Sequence, residues 1–422
     1  MLITIMWPPE LVITESMFRH YTGIAEIAGY LRDQSAAVRA VSAKVEVVDC
    51  AVEVKTALNI ASIARKSTLV PLYINMNNIL EALQLARFMK GVNPGLTIAV
   101  YGEAAACNPR VFAELTEVDF VIGNGQTEYA LDYIICKLQG LSPDQISGLS
   151  NSDVVEEEKC IFVSKILPSE CWGMPALDLL PLKQYLALSN GELHLLINKG
   201  CPFHCEFCNE RLVSSNILRY RSPEQVAAFL CAPYEEKVRS VYLDASTFTY
   251  DKGWVLTLCD EIRKRGKPLP WKTCTRVDCT DDDLIRAMAE SGCTRISVGV
   301  ETLDENIQSR NRKCVSRQAL TKFAAACKQY GILPRALLII GLNGQRFDDI
   351  EKAMHFCDEC GIDGRFRVLQ DYSALISCKS ISELDITKLD RWNTWNPFRE
   401  LPLNELRKIE YPPAKGDVQN YV

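Results

Sequence analysis

The 422-residue sequence has no continuous apolar run of the ~20 residues that a membrane-spanning helix requires. The apolar start at Met1–Trp7 is interrupted at once by Pro8, Pro9 and Glu10, so it is not typical of an export signal. Long runs of like charge are also missing, and 47 basic against 53 acidic residues leave a net charge of −6. These absences argue against a membrane span and against nucleic acid or an anionic membrane as a partner. We therefore expect a cytoplasmic protein.

Cysteine, in contrast, is abundant, with 18 residues. Most of them are scattered singly in apolar segments, where a reduced thiol acts as a small buried side chain. One group rises above this background because three cysteines recur at the spacing of metal ligands, at Cys201, Cys205 and Cys208.

The first 140 residues alternate short apolar, β-branched runs with segments of helical periodicity. This pattern predicts an α/β fold with a doubly wound parallel sheet, which we assign to residues 1–145. Such sheets bind ligands beyond the carboxyl ends of their strands. We therefore single out Trp7 and the glycines at Gly102, Gly123 and Gly125, which let a ligand approach the backbone closely. The predicted strands are Leu2–Met6, Val45–Asp49, Leu69–Ile74, Leu96–Val100 and Phe120–Ile122.

Residues 146–190 are rich in proline, serine and acidic residues and are predicted to be a linker. From residue 191 strands and helices alternate again six times, which favours a partial (β/α)6 barrel of the TIM type over residues 191–375. Residues 376–422 lose this pattern and are expected to form a cap over the barrel. Helix starts are predicted at Ser222, Thr280 and Ser316, and helix ends at Gly292, Gly331 and Gly361.

The three spaced cysteines lie in a tight loop that directly follows an apolar strand, with the pattern C-x3-C-x2-C. Three thiolates from one loop can ligate three irons of a 4Fe-4S cluster and leave the fourth iron open to a chelating small molecule. The alternatives are a zinc site, with His204 as a further ligand, or three structural cysteines. Zinc fits less well because zinc sites usually pair two C-x2-C units, and His204 lies inside the loop itself.

This motif, placed after the first barrel strand, resembles the radical S-adenosylmethionine (SAM) superfamily. Segments similar to the later strands of that family are Val241–Phe248, Thr275–Asp278, Ile296–Glu301 and Leu338–Leu342. The resemblance implies that the free iron binds SAM and that strand ends hold the rest of the molecule. It assigns to SAM the residues Phe207 (adenine), Arg276 (carboxylate), Ser297, Glu301, Asp244 and Gly341.

Each polar assignment has an ordinary structural alternative. Arg276 and Glu301 could pair with each other at a strand end, Ser297 could fill the barrel, and Asp244 could cap a helix. Three further charges, Lys199, Arg310 and Lys313, are interpreted either as solvated charges or as part of a basic patch for an electron donor.

The resemblance also implies an activity. An enzyme of this family reductively cleaves SAM at the cluster to a 5′-deoxyadenosyl radical, which abstracts hydrogen from a small-molecule, natural-product-like substrate. Flavodoxin or ferredoxin is the expected electron donor. Residues of the last strand, Gln370, Asp371 and Tyr372, are candidates to face the substrate.

The doubly wound domain ahead of the barrel resembles the cobalamin-binding class of the superfamily, in which many members transfer methyl groups. One departure matters: none of the four histidines, His20, His194, His204 and His355, lies in the Asp-x-His-x-x-Gly segment that ligates cobalt from below. Cobalamin-dependent methylation is therefore weighed against cobalamin-independent radical dehydration or deoxygenation of a sugar, such as an aminoglycoside intermediate. A second alternative is a non-catalytic iron-sulfur sensor.

Overall fold

The computed structural model describes residues 1–10, 20–146, 149–214, 216–369, 372–384 and 402–410. The chain divides into two compact units. Unit 1 comprises Met1–Ala187, Asn209–Ser215 and Tyr372–Leu389, and unit 2 comprises Leu188–Cys208, Asn216–Asp371 and Asp390–Val422. Within the described parts of the chain, no helix combines the length and the apolar character that a bilayer crossing demands.

Unit 1 is built on a seven-stranded sheet. Its strands are β1 Leu2–Trp7, β2 Lys44–Asp49, β3 Leu69–Tyr73, β4 Thr97–Tyr101, β5 Phe120–Ile122, β6 Val154–Glu157 and β7 Cys160–Val163. The order is β2-β1-β3-β4-β5-β7-β6, and all neighbours run parallel except the β6–β7 pair. This confirms the predicted doubly wound sheet, and the chain changes direction across the sheet between β1 and β3.

Helices surround this sheet. They are α1 His20–Gly29, followed by a π-helical turn at Tyr30–Gln34, then α2 Ala36–Val41, α3 Ala57–Lys66, α4 Ile79–Val92, α5 Glu103–Cys107, α6 Pro109–Ala113, α7 Thr127–Leu138, α8 Leu182–Leu188, α9 Glu210–Ser214 and α16 Ser373–Ser377. The strands between them are almost wholly buried, as expected for a sheet with helices on both faces.

The structure differs from the predicted linker at residues 146–190. Strands β6 and β7 lie inside this segment and extend the sheet of unit 1, with Cys160, Ile161 and Val163 buried. Each strand has only four residues, and acidic residues surround them, so no periodic apolar pattern is visible in the sequence. The start of the predicted cap also folds elsewhere, because Leu384 packs in the core of unit 1.

Unit 2 contains a six-stranded sheet in the order β15-β14-β13-β12-β11-β8, with every pair parallel. Its strands are β8 Glu192–Leu196, β11 Ser240–Asp244, β12 Trp271–Thr275, β13 Cys293–Glu301, β14 Leu333–Ile340 and β15 Asp363–Val368, and a separate two-stranded ribbon joins β9 Asn198–Lys199 to β10 Arg219–Tyr220. Strands that are adjacent in space follow one another along the chain. Right-handed crossovers then place the connecting helices on one face of the sheet, which is the arrangement of a partial barrel. We call the other face the lumen face.

The helices of unit 2 are α10 Pro223–Leu230, α11 Lys252–Arg265, α12 Asp282–Glu290, α13 Glu305–Arg310, α14 Arg317–Gln329, α15 Phe347–Cys360 and α17 Leu403–Glu410. The predicted caps Ser222 and Ser316 are confirmed, since each side chain accepts a backbone N–H of the first turn. The prediction for Thr280 is wrong: the Asp281 carboxylate accepts the N–H of Leu284 instead. Glycines with positive φ follow α12, α14 and α15, as predicted.

A buried carboxyl group in unit 1 makes the stability of the fold dependent on pH. Asp132 accepts hydrogen bonds from the Tyr30 hydroxyl at 2.8 Å and from Ser35 Oγ at 2.5 Å. Burial raises the pKa of Asp132 to about 6, although both hydrogen bonds oppose the increase. Since the pKa is raised in the folded state, folding is favoured at pH values below the unfolded pKa, and this stabilisation is lost as the pH rises through 6.

We therefore expect Asp132→Asn to stabilise the protein progressively more, relative to the wild type, as the pH rises from 4.5 to 7.5. The full difference is ~3 kcal/mol, because each pKa unit corresponds to about 1.4 kcal/mol. Thermal unfolding of both proteins across this range measures it. Asp144→Asn is the control, because that carboxylate is exposed and the pKa of Asp144 is lowered by its hydrogen bonds from Asn151 and Ser150. A pH-independent difference for Asp132→Asn would contradict the expectation.

Candidate functional site

The three spaced cysteines lie in the loop between the two strands of the ribbon. Gly200 has φ +88° and turns the chain after β9. Cys201 and Cys205 are partly buried, Cys208 is exposed, and none of the three forms a disulfide bond. Among the described residues, no three His, Cys, Asp or Glu side chains converge tightly enough to bind one metal ion. In a cubane each thiolate binds a different iron, so the ligands of a cluster need not converge on one point.

Arg276 brings a positive charge to this loop from the end of β12. Its guanidinium carbon lies 3.9 Å from the centre of the Phe203 ring, and its Nε and Nη2 atoms donate to both oxygens of Asp278. Its Nη1 atom is 3.9 Å from Cys205 Sγ. Burial raises the pKa of Cys205, while the positive charges of Lys313 and Arg276 act in the opposite direction. Burial by itself favours the neutral thiol of Cys205. A cationic metal ligand bound to the sulfur would compensate for the burial, and Cys205 would then be a thiolate.

A second buried cation stands next to the same loop. Lys313 Nζ donates to Glu301 Oε1 at 2.6 Å, and both side chains are largely buried. A Cβ atom on Gly299 would lie 2.5 Å from each of these two atoms, so only glycine leaves room for the pair. Lys313 Nζ also lies 5.8 Å from the centre of the Phe207 ring. The interpretation of Lys313 as a solvated charge is wrong, because the residue is 7% exposed.

The other residues assigned to SAM lie on or beside the strands of unit 2, and Ser297 is in the middle of β13. Asp244 does not cap a helix; its carboxylate lies 2.8 Å from His194 Nδ1. Ser297 is buried on β13, and the Gly341 N–H, at a residue with φ +98°, donates to Gln345. Arg276 and Glu301 do not pair with each other, because Asp278 and Lys313 are their partners. Asp244, Arg276, Glu301 and the Gly341 N–H are thus already engaged within the protein.

The structure describes one of the three substrate-facing candidates. Gln370 and Asp371 lie outside the described residues. Tyr372 belongs to unit 1, where its hydroxyl donates to Glu103 Oε2 at 2.5 Å. Its role toward a substrate stays a prediction.

In unit 1, an aromatic group follows the strands at the point where the sheet changes direction. The Trp7 indole stacks on Tyr73 with ring centres 4.1 Å apart, and Tyr101 meets Tyr73 edge to face at 5.3 Å. The Trp7 Nε1 atom donates to Glu10 Oε1 at 3.2 Å, which also accepts from Asn75. We call this set of five residues the aromatic crevice. Sequence reasoning selected Trp7 but missed Tyr73, whose position as the last residue of β3 was the available signal.

The three glycines singled out in unit 1 have packing reasons of their own. A Cβ atom on Gly102, which has φ +113°, would lie 2.5 Å from the Ile74 carbonyl oxygen. A Cβ atom on Gly123 would lie 2.4 Å from the Phe162 ring, and one on Gly125 would overlap the Val213 carbonyl. The chain's own atoms occupy the space beside these glycines, and their contact with a ligand stays a prediction.

Comparison with known proteins places this geometry in a family. Residues 195–357 match the family model of the radical SAM superfamily. An uncharacterized methyltransferase of Pyrococcus horikoshii is 24% identical over 361 residues, which are 83% of this chain and 76% of the relative. The hopanoid C-2 methylase of Rhodopseudomonas palustris is 23% identical over 240 residues, and the match spans 45% of its length.

Two solved structures share the fold. The radical SAM methyltransferase TsrM from Kitasatospora setae, with cobalamin and a 4Fe-4S cluster bound, matches with a TM-score of 0.65 at 14% identity, over 87% of this chain and 72% of TsrM. The cobalamin-dependent radical SAM enzyme OxsB, with aqua-cobalamin bound, matches with a TM-score of 0.67 at 19% identity, over 92% of this chain and 55% of OxsB. The family match implies a 4Fe-4S cluster and SAM as cofactors. Residues 195–357 of the chain are therefore a radical SAM domain.

Proposed function

We propose that the protein is a cobalamin-dependent methyltransferase that modifies a small molecule by radical chemistry. Cys201, Cys205 and Cys208 ligate the 4Fe-4S cluster in this proposal, and unit 1 holds the cobalamin. The proposal rests on the observation that one chain combines two parts. One part is a radical SAM domain, and the other is a doubly wound sheet that has the aromatic crevice where the chain changes direction across the sheet.

The donor set of the loop fits an iron-sulfur cluster. Three cysteine thiols within eight residues, none of them in a disulfide bond, are soft ligands of the kind that iron-sulfur clusters take. Arg276 and Lys313 supply positive charge next to Cys205, which offsets the negative charge of bound thiolates. Phe203 and Phe207 place apolar rings in the loop, and such rings limit the access of water. When bound, the cluster and SAM supply the radical that takes a hydrogen atom from the substrate.

Four of the residues proposed for SAM, Asp244, Arg276, Glu301 and Gly341, lie at or just after the carboxyl ends of β11 to β14. Arg276 has five N–H donors, and only Nε and Nη2 are engaged with Asp278, so other donors of the guanidinium are available for a carboxylate. Glu301, held by Lys313, offers its remaining acceptor positions to ribose hydroxyls or to the amino group of SAM. Asp244, Ser297, Gly341 and Phe207 complete the proposed contacts.

The aromatic crevice fits a large, planar, partly apolar ring system such as a corrin. Stacked aromatic side chains offer flat apolar surface, and the hydrogen bonds of Glu10 and Asn75 keep the polar groups at its edge in place. None of the four histidines lies in a cobalt-ligating segment, so the proposal has no histidine below the cobalt. Electron delivery by flavodoxin or ferredoxin is part of the proposal.

Trp7→Ala is expected to weaken aqua-cobalamin binding at least tenfold, because it removes the ring that stacks on Tyr73. Tyr73→Phe keeps the stack and serves as the matched variant, with an expected change within twofold. Visible absorption and cobalt content of anaerobically reconstituted protein measure binding. Circular dichroism establishes that each variant is folded, and Trp7→Phe replaces Trp7→Ala if the latter is not.

The same preparations separate the three candidate functions. If the protein is a cobalamin-dependent methyltransferase, the cobalt-loaded form releases 5′-deoxyadenosine when dithionite and SAM are added. Addition of a substrate then increases the rate of this release, and the substrate gains a methyl group. An active but cobalt-free protein would instead indicate radical dehydration or deoxygenation. A protein that holds an intact cluster but releases no 5′-deoxyadenosine would indicate a non-catalytic iron-sulfur sensor.

A further inference from the structure

The lumen face of the unit 2 sheet is charged, whereas the opposite face is apolar. Side chains that point toward the helices, such as Leu193, Val241, Ile296 and Leu338, are fully buried and apolar. The residues that alternate with them are mostly polar or charged. On the lumen face these include Glu192, His194, Tyr242, Asp244, Lys272, Arg295, Arg335, Asp363 and Arg365.

Most of these charges have a partner. Lys272 Nζ forms an ion pair with Glu192, and the Asp244 carboxylate pairs with His194. Asp363 accepts from Arg335 at 2.7 Å and also lies 3.1 Å from Arg365. One carboxylate therefore serves two guanidinium groups on this face.

Arg295 is the exception. Its guanidinium lies 5.6 Å from the centre of the Tyr242 ring, and no ion pair joins it to a carboxylate of the described part of the chain. Its Nε atom is buried and has no hydrogen-bond partner. Burial lowers the pKa of Arg335, and the charge of Arg295 lowers that pKa further. The pKa of Lys272 is likewise lowered by burial and by these two arginines, against the opposing effect of Glu192.

We propose that Arg295, with Lys272 and Arg335 beside it, binds an anionic group of the substrate, a carboxylate or a phosphate. A partly buried cation without an ion pair of its own is costly, because the nearby Glu192 carboxylate is already paired with Lys272, and a bound anion lowers that cost. Guanidinium groups also match the planar geometry of oxyanions and bind them through paired hydrogen bonds. This inference rests on the proposed function, because it names the substrate class of the same barrel.

The position of the site defines the shape of that substrate. Arg295 is the third residue of β13, and the proposed SAM contacts on the same strand, Ser297 and Glu301, lie two and six residues further on. At about 3.3 Å per residue these steps correspond to roughly 7 and 20 Å. The lumen positions that follow Arg335 on β14 are the apolar Leu337 and Ile339. The substrate is thus an elongated molecule with an anionic end and an apolar body.

Octanoate, octyl phosphate and 1-octanol test this with the full-length, anaerobically reconstituted protein. The two anions are expected to bind at least tenfold more tightly than the neutral alcohol in calorimetric titrations, and the difference shrinks at high salt. Arg295→Gln is expected to lower the affinity for both anions at least tenfold. Arg286→Gln, at an exposed helical arginine paired with Asp283, is the matched control and keeps the wild-type affinity.

Equal binding of octanol and the two anions to the wild type would overturn the proposal, and so would unchanged anion binding by Arg295→Gln. Because Arg295 has no ion pair to lose, the melting temperature of the unliganded Arg295→Gln protein is expected not to fall. A lower melting temperature together with unchanged anion binding marks a structural role for Arg295. If Arg295→Gln does not fold, the test uses Arg295→Lys in its place, together with the preference of the wild type for the two anions over 1-octanol. Release of 5′-deoxyadenosine by the wild type is measured separately. Its absence would contradict the proposed function but would leave the result on anion binding unchanged.

Discussion

Cys205→Ser is expected to lower the bound iron from about four atoms per chain to a small remainder, and to reduce 5′-deoxyadenosine release at least a hundredfold. A serine hydroxyl is a hard, protonated ligand that replaces a soft thiolate poorly. The loss is expected to be severe because the two remaining thiols, Cys201 and Cys208, would hold the cluster from one side only. Iron and sulfide analysis, the visible spectrum and product release under dithionite measure the outcome.

Cys231→Ser is the control for this substitution. Cys231 is also a free, partly buried thiol of unit 2, but it lies at the carboxyl end of α10, away from the cysteine loop. Its variant is expected to keep wild-type iron content and activity. Zinc in place of iron in the wild-type protein, or undiminished iron in Cys205→Ser, would contradict the assignment of the loop to a cluster.

Lys313→Met is expected to destabilise the protein by about 3–5 kcal/mol, because it leaves the Glu301 carboxylate buried without its counter-charge. The position of Glu301 makes escape to solvent difficult: its φ is +64°, and Gly299 lies directly beside the carboxylate. Urea denaturation measures the free energy of unfolding. The double variant Lys313→Met/Glu301→Gln is expected to recover a large part of the loss, since a neutral amide is less costly to bury.

Lys264→Met provides the comparison, because Lys264 Nζ also lies 2.6 Å from a carboxylate, that of Glu261, but at the exposed surface of α11. Removing this pair is expected to change stability little, since solvent and salt screen it. Equal losses in Lys313→Met and Lys264→Met would show that burial does not determine the contribution of the Lys313 pair. If the double variant, which lacks the Glu301 carboxylate, binds SAM more weakly than Lys313→Met does, the result supports Glu301 as a SAM contact.

The sequence alone was sufficient for the features that local rules control. All five strands predicted for residues 1–145 are present with ends shifted by one residue at most, and the cysteine loop follows the first strand of the unit 2 sheet. Apolar periodicity, cap residues and ligand spacing all act within about ten residues of chain, so they can be read without the fold. The error at Thr280 has the same origin: Thr280 and Asp281 are both good caps, and only the backbone path chooses between them.

Other features depended on partners distant in the sequence. Strands β6 and β7 became part of a sheet only because β5 offers them a neighbouring edge. Stacking of Trp7 on Tyr73 joins residues 66 positions apart, and the hydrogen bond between Tyr30 and Asp132 joins residues 102 positions apart.

The amino-acid sequence by itself determined the fold class, the thiol loop and the presence of a radical SAM domain. Tertiary structure alone decided which charges are buried and which partners they have: Lys313 with Glu301, Arg276 with Asp278, and Arg295 with no described carboxylate. The physical reason is that burial and ion pairing depend on strand register and on crossovers between distant segments. The sequence shows that a residue is charged, but whether water reaches that charge depends on the neighbouring strands of the folded protein.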